Sequence, residues 1–519
     1  MARARPVVLA GVAAAAVAGS PLQGLSQSGS FALATAAFAA VLWVTEGLPL
    51  PATALCVPIL LTLFGVFPTM ADALAGFADP IIFLLLAGFV LAAALQKHDL
   101  DRRVAFHLIG HLGSSSGRLV LAVMTATAGL SMVVSNSATT AMMIPVALGV
   151  ADAVTDEQPV SSVIDEQSVG AVTEESTAAD APSNLETALL LGTAYAASIG
   201  GMGTLIGTPA NAIVASVAET RLGFRIGFLD WLVVGLPLVV VSLPLAWLLL
   251  VRLYPPESGD ATDARGHAEA ELAAAGALST AGRRTLLVTG ATAGLWVLGG
   301  LGFLFEGALP PVWYDTLFGG AGSIVGAPHQ GVLFYVLVGL AAVPVLLLGN
   351  CIEWDDVQGI DWGTLLLLGG GLALADGLAA TDATTWLADG VVDALAGAPV
   401  VLVVLGIVAV TVLLSELASN TAVVAIFAPV VLGVGARYAE VLGTTPELAA
   451  VFLAVTVAIA ASLGFALPVA TPPNAIAFGT GAIGRREMLR AGSRLDLLLI
   501  GVTTALLLGS FRLLWPIVF

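Results

Sequence analysis

The chain is 519 residues long, 58% hydrophobic and only 10% charged, with mean hydropathy +0.99 and a formal net charge of -18. Apolar runs near the roughly 20 residues that span a bilayer recur along it, which makes it a polytopic helical membrane protein. The acidic balance argues against nucleic acid, and the continuous Leu-, Ala- and Gly-rich runs argue against the alternating strands of about 10 residues that build a β-barrel.

Of the 18 basic residues only Lys97 is a lysine, and the acidic residues crowd the loops. Such solvent faces suit a high-salt medium, where the Debye length falls to roughly 3 Å at 1 M and self-repulsion costs little. A halophilic source is expected. Cys56 and Cys351 form neither a disulfide framework nor a metal cluster.

In chain order, Arg3 and Arg5 precede an apolar run over 6–19 shaped like a signal peptide; residues 1–30 are expected to hold an uncleaved N-terminal helix. Residues 31–253 form a first half. It opens with an apolar run over 31–44, and Glu46 at its end reads as a helix cap or interfacial anchor. A helix is predicted over 81–95 behind Asp79 and Pro80, followed by an amphipathic stretch over 97–113 suited to the interface. His107 and His111 have metal-ligand spacing, but no carboxylate or cysteine constellation accompanies them.

A span over 119–134 leads to SNSATTAMMIPVALGV, residues 135–150. The stretch 152–186 carries nine carboxylates and no base, which predicts a solvated connection. A helix over 185–199 ends in GGMGTLIGTPANAI, a long helix covers 224–253, and residues 254–284 read as a polar linker. The second half, 285–519, holds spans over 285–305, 331–348, 362–378, 400–414 and 448–463. An arginine cluster (Arg485, Arg486, Arg490, Arg494) and a final span over 495–518 complete it.

The organising feature is duplication. SNTAVVAIFAPVVLGV at 419–434 matches the stretch at 135–150 in nine of sixteen positions, and ATPPNAI near 471 repeats GTPANAI near 208. A weaker pair, FLLLAGFVLA and LLLLGGGLAL, extends the repeat to the scale of whole halves. Pro145 and Pro429 each remove a backbone donor, so each SN segment is expected to be a helix interrupted at its proline. Polar breaks within a membrane survive only inside protein or beside water, so a duplicated break points to a transport site at midplane.

These breaks offer backbone carbonyls, hydroxyls and amides, with Ser131 and Ser415 one helical turn before their motifs. Gly207 and Ala470, before each Thr-Pro, would let backbone approach an ion closely. No Lys, Arg or His lies between Arg118 and Arg221 or between His329 and Arg437. A bound anion would therefore need a cation beside it, and oxygen-only donors without convergent carboxylates suit sodium better than calcium. The competing reading is that Ser, Thr and Gly merely allow close helix packing.

WVTEGLPLPATAL, SNSATTAMMIP, GTPANAI, SELASNTAVVAIFAP and ATPPNAI, in that order over nearly the whole chain, resemble the divalent anion:sodium symporter family, which includes the sodium-dicarboxylate and sodium-citrate cotransporters. The resemblance implies an all-α polytopic fold with two inverted repeats, each with a re-entrant hairpin and a broken helix. It also implies elevator-type movement and a homodimer in the plasma membrane. By motif, one sodium site would use Ser131, Ser135, Asn136 and Gly207, and the other Ser415, Ala418, Asn420 and Ala470. Substrate carboxylates would meet Asn136, Ser137, Thr208, Asn420, Thr421, Thr471 and Pro472. Two departures stand out: Ser137 where the family has Thr, and Ala210 where it has a second Pro.

The expected function is sodium-coupled symport of a C4-dicarboxylate such as succinate or malate, with no cofactor beyond sodium as coupling ion. Sulfate or another oxyanion, proton coupling, exchange, and an oxyanion efflux-pump subunit are the alternatives. An intramembrane enzyme is not expected, because the spans lack a catalytic Ser/His pair and a His-Glu zinc motif.

Overall fold

The computed structural model describes residues 4–112, 115–155, 183–257, 262–324, 330–394 and 397–518. Among these the chain is helical throughout, without a β-sheet. Eight described helices are long and apolar enough to cross a membrane: Gln27–Thr45, Pro80–Lys97, Asn136–Val154, Phe228–Leu253, Trp362–Ala380, Val400–Leu417, Asn420–Arg437 and Arg485–Leu513.

Their ends follow from local chemistry. Ser26 and Asp361 accept hydrogen bonds from the amides of Gly29 and Thr364, and Asp79 accepts from Ile81 with Pro80 at the first helical position. Glu46 closes Gln27–Thr45 in the left-handed region, φ 48°, as the cap its position suggests. The stretch 254–284 contains a helix, Thr262–Ala274, packed on Leu100–Leu112 and on Asn136–Thr155, and the next helix starts at Thr280. Of the acidic stretch, 152–155 end one helix and 184–186 begin another; 156–182 lie outside the described residues.

The prolines do not interrupt the SN segments. Pro145 lies inside the helix Asn136–Thr155 and Pro429 inside Asn420–Arg437; the bends fall earlier, at 132–135 and 418–419. Proline removes one donor and crowds the carbonyl four residues back, Ala141 or Ala425, a local cost that a packed membrane helix tolerates. Serine competes for backbone groups and so acts as a cap in the first copy, where the Ser135 hydroxyl accepts from Ala138 N at 3.3 Å; in the second the helix starts with the backbone bond from Val423 N to the Ser419 carbonyl at 3.0 Å.

Two helices form the centre. Asn184–Gly201 and Pro446–Ala461 are buried around nearly their whole circumference, as helices apolar on every side should be. Both then break, over 202–208 and 462–471, and resume as Pro209–Leu222 and Pro472–Gly479, each with Thr at the cap and Pro at the first position. The packing is reciprocal. Asn136–Thr155 lies against Asn184–Gly201 and Pro472–Gly479, while Asn420–Arg437 lies against Pro446–Ala461 and Pro209–Leu222. Each SN helix thus touches the resumed segment of the other half.

Candidate ion and anion site

In the first half, Ser131 is fully buried at the end of Ser116–Ser131. The Asn136 amide faces its hydroxyl at 2.7 Å and the carbonyls of Ala197 and Gly207 at 3.2 and 3.3 Å, three acceptors that share the two hydrogens of Nδ2. Gly201 packs flat on this amide, and a Cβ on Gly207 would run into the Gly201 carbonyl, so neither position has room for a side chain. The Asn211 Nδ2 holds the bend by donating to the carbonyls of Gly201 at 3.1 Å and Thr204 at 2.7 Å. Ser131, Asn136 and Gly207 are therefore together as expected, with Ser135 capping the turn beside them.

The second half repeats the pattern. Asn474 Nδ2 donates to the carbonyls of Gly464 at 3.2 Å and Leu467 at 3.0 Å, the same ten- and seven-residue reach as Asn211. A Cβ on Gly464 would stand 3.3 Å from the Ser415 carbonyl and 3.4 Å from Ala470, which places two of the four expected ligands of this half, Ser415 and Ala470, on either side of Gly464. Buried oxygens are left without a partner in both halves, Ser198 Oγ and Asn211 Oδ1 in the first. Ser415 Oγ, Asn420 Oδ1, Ser462 Oγ and Asn474 Oδ1 are buried without a hydrogen-bond partner. An unmet buried polar atom costs about 1–3 kcal/mol, and hydroxyl, amide and carbonyl oxygens are the donors a hard monovalent cation takes.

The expected anion contacts differ in access. Thr208, Thr421 and Thr471 are buried, Ser137 is half-buried, and Pro472 is exposed at the start of its helix. Thr471 also caps that helix, its hydroxyl accepting from Asn474 N at 3.2 Å. No group of three or more His, Cys, Asp or Glu side chains forms a metal cluster among the described residues. The ring nitrogen of His111 instead meets the His107 carbonyl at 2.8 Å.

Two carboxylates absent from the expected set complete the second bend. Both Glu416 oxygens accept backbone amides, Ala466 N and Leu467 N, at 2.8 Å each, and Asp496 Oδ1 accepts Phe465 N at 3.2 Å. Each side chain is 7% exposed. Three consecutive amides are thus clamped beside Ser415 and Ala470. In the first half, Met132 holds the place of Glu416; its carbonyl accepts the Thr204 hydroxyl, and Trp231 Nε1 donates to the Met202 carbonyl at 3.0 Å. The signal for Glu416 was a charged residue inside the apolar run SELASN, where an uncompensated charge is costly. Asn211 and Asn474 were marked by their shared place in Thr-Pro-x-Asn.

A family model described as the sodium:sulfate symporter transmembrane region matches residues 5–519. A Haemophilus influenzae protein named an uncharacterized transporter is 35% identical over 475 residues, covering 91% of this chain and 89% of its own. The sodium-dependent dicarboxylate transporter SdcS of Staphylococcus saprophyticus is 32% identical over 479 residues, covering 92% and 85%. SdcS of Staphylococcus aureus strain USA300 is also 32% identical, over 477 residues, with 92% and 85% covered. Among solved structures, the Alcanivorax borkumensis YdaH transporter superposes with a TM-score of 0.57 at 17% identity, covering 92% of this chain and 99% of its own, a likeness of fold.

Proposed function

The chain belongs to the divalent anion:sodium symporter family, and on that premise we propose that it is a sodium-coupled symporter of C4-dicarboxylates such as succinate or malate. The observation that carries this reading is a pair of buried oxygens without partners, Ser415 Oγ of the residue next to Gly464 and Ala470, and Asn420 Oδ1 at the start of the second SN helix. One sodium would take Ser131, Ser135, Asn136 and Gly207, the other Ser415, Ala418, Asn420 and Ala470. Asn136, Ser137, Thr208, Asn420, Thr421, Thr471 and Pro472 would then receive the carboxylates of the anion.

The electrostatics decide the order of dependence. The motifs hold no basic side chain, and helix N-termini supply only roughly 0.3–1 kcal/mol each at exposed sites against several kcal/mol of desolvation. Sodium must balance the dianion. The reciprocal packing and the matched asparagine bridges support two repeats, each with a broken segment; inverted orientation, re-entrant hairpins, elevator movement and a homodimer are part of the same proposal. Sulfate is the second reading, favoured by the description of the family model.

The test is uptake of radiolabelled succinate into proteoliposomes under an imposed sodium gradient, competed by malate, citrate and sulfate. Strong inhibition by malate with little by sulfate is expected. The reverse order would make sulfate the substrate, and uptake indifferent to the sodium gradient would remove the symport reading.

A further inference from the structure

Away from the transport site, a cavity of about 330 Å³ is lined by Tyr254, Arg486, Glu487 and Arg490. It lies where two long membrane helices, Phe228–Leu253 and Arg485–Leu513, pack together, and the Tyr254 hydroxyl donates to the Glu487 carbonyl at 2.9 Å. The second helix is 29 residues long, about 43 Å at 1.5 Å per residue, against a hydrocarbon core of roughly 30 Å. Its excess length is the arginine-bearing start, so the cavity stands at headgroup level, where tyrosine is also favoured.

Arg486, Arg490 and Arg494 follow one another at four-residue steps along one exposed face. In a chain of net charge -18 they would be expected to find carboxylates, yet none of them joins an ion pair among the described residues. The Glu487 side chain turns back over Gly484 rather than toward them. One turn beyond Arg494 the same face becomes apolar, with Leu497 74% exposed. Charge above and an open apolar surface below match an anionic headgroup followed by its acyl chain.

We propose that this cavity binds the phosphate of an anionic phospholipid, with Arg486 and Arg490 as the charged donors and Leu497 against the acyl chain. Guanidinium forks suit phosphate oxygens because they offer paired parallel donors. A free phosphate shares the headgroup chemistry but makes no use of the apolar face. The site is independent of the substrate and coupling ion proposed above.

Native mass spectrometry of the full chain in detergent, titrated with dioleoylphosphatidylglycerol or dioleoylphosphatidylcholine, tests this. The glycerol lipid should be retained in preference, and retention should fall roughly fivefold for each arginine removed in R486Q/R490Q. R512Q, at the other end of the helix, should leave it unchanged. Millimolar inorganic phosphate should not displace the lipid. Should the double variant lose its thermal unfolding transition, R490Q alone carries the test. Equal retention of the two lipids, undiminished retention in the arginine variants, or displacement by inorganic phosphate would each overturn the proposal.

Discussion

Asn136 and Asn420 occupy matched places, but their amides are not in the same condition. Asn136 is held by Ser131 and two carbonyls, whereas Asn420 Oδ1 has no partner. A hydrogen bond or ligand to a charged group contributes about 1.5–3 kcal/mol, or roughly 10- to 150-fold in affinity. Asn136→Ala and Asn420→Ala are each expected to lose sodium-dependent uptake by at least that factor while reaching the membrane at near-normal levels. Uptake retained in both variants would remove these residues from the site. Glu416 acts one step back. Glu416→Ala strips a buried and a part-buried amide of their acceptor, at a cost of about 1–3 kcal/mol for the buried one, so its thermal midpoint and its apparent sodium affinity should both fall, with Glu416→Gln intermediate. An unchanged midpoint in Glu416→Ala would show that the clamp carries no weight.

At the scale of elements, the two halves differ where their packing differs. Gly207 and Ala470 are repeat mates, yet a Cβ on Gly207 would strike the Gly201 carbonyl, while Ala470 already has a Cβ in contact range of Gly464. Gly207→Ala should therefore abolish or severely reduce uptake, whereas Ala470→Gly should be tolerated with a modest loss of stability; equal effects would contradict this asymmetry. The all-helical membrane character and the matched Thr-Pro helix starts were legible because apolar length, Thr-Pro caps and a repeated SN motif are local signals. The position of the bends was not. Proline outweighs serine and asparagine as a breaker in an isolated helix, but a packed membrane helix tolerates Pro145 and Pro429, and the helices start instead after Ser135, whose hydroxyl caps the first turn, and after Ser419. Glu416 and Asp496 were hidden for another reason. They lie 80 residues apart in sequence, and only the fold brings both to the amides of 465–467.

At the scale of the molecule, reciprocal packing ties each SN helix to the resumed segment of the other half, so the proposed anion contacts, drawn from both halves, would be brought together by it. Salt screens exposed charges whatever its cation, so any test of sodium must hold ionic strength fixed. Under that control, mutual dependence of cation and anion is the central expectation of the proposed symport: with no basic side chain in either motif, a dianion would need bound sodium, and linkage makes the benefit reciprocal. A coupling of about 1–3 kcal/mol corresponds to roughly 5- to 150-fold in affinity. The direct measurement is succinate binding to the purified, folded protein in sodium chloride and in choline chloride of equal strength. Affinity should fall by at least about fivefold in choline; equal affinity in the two salts would contradict sodium coupling.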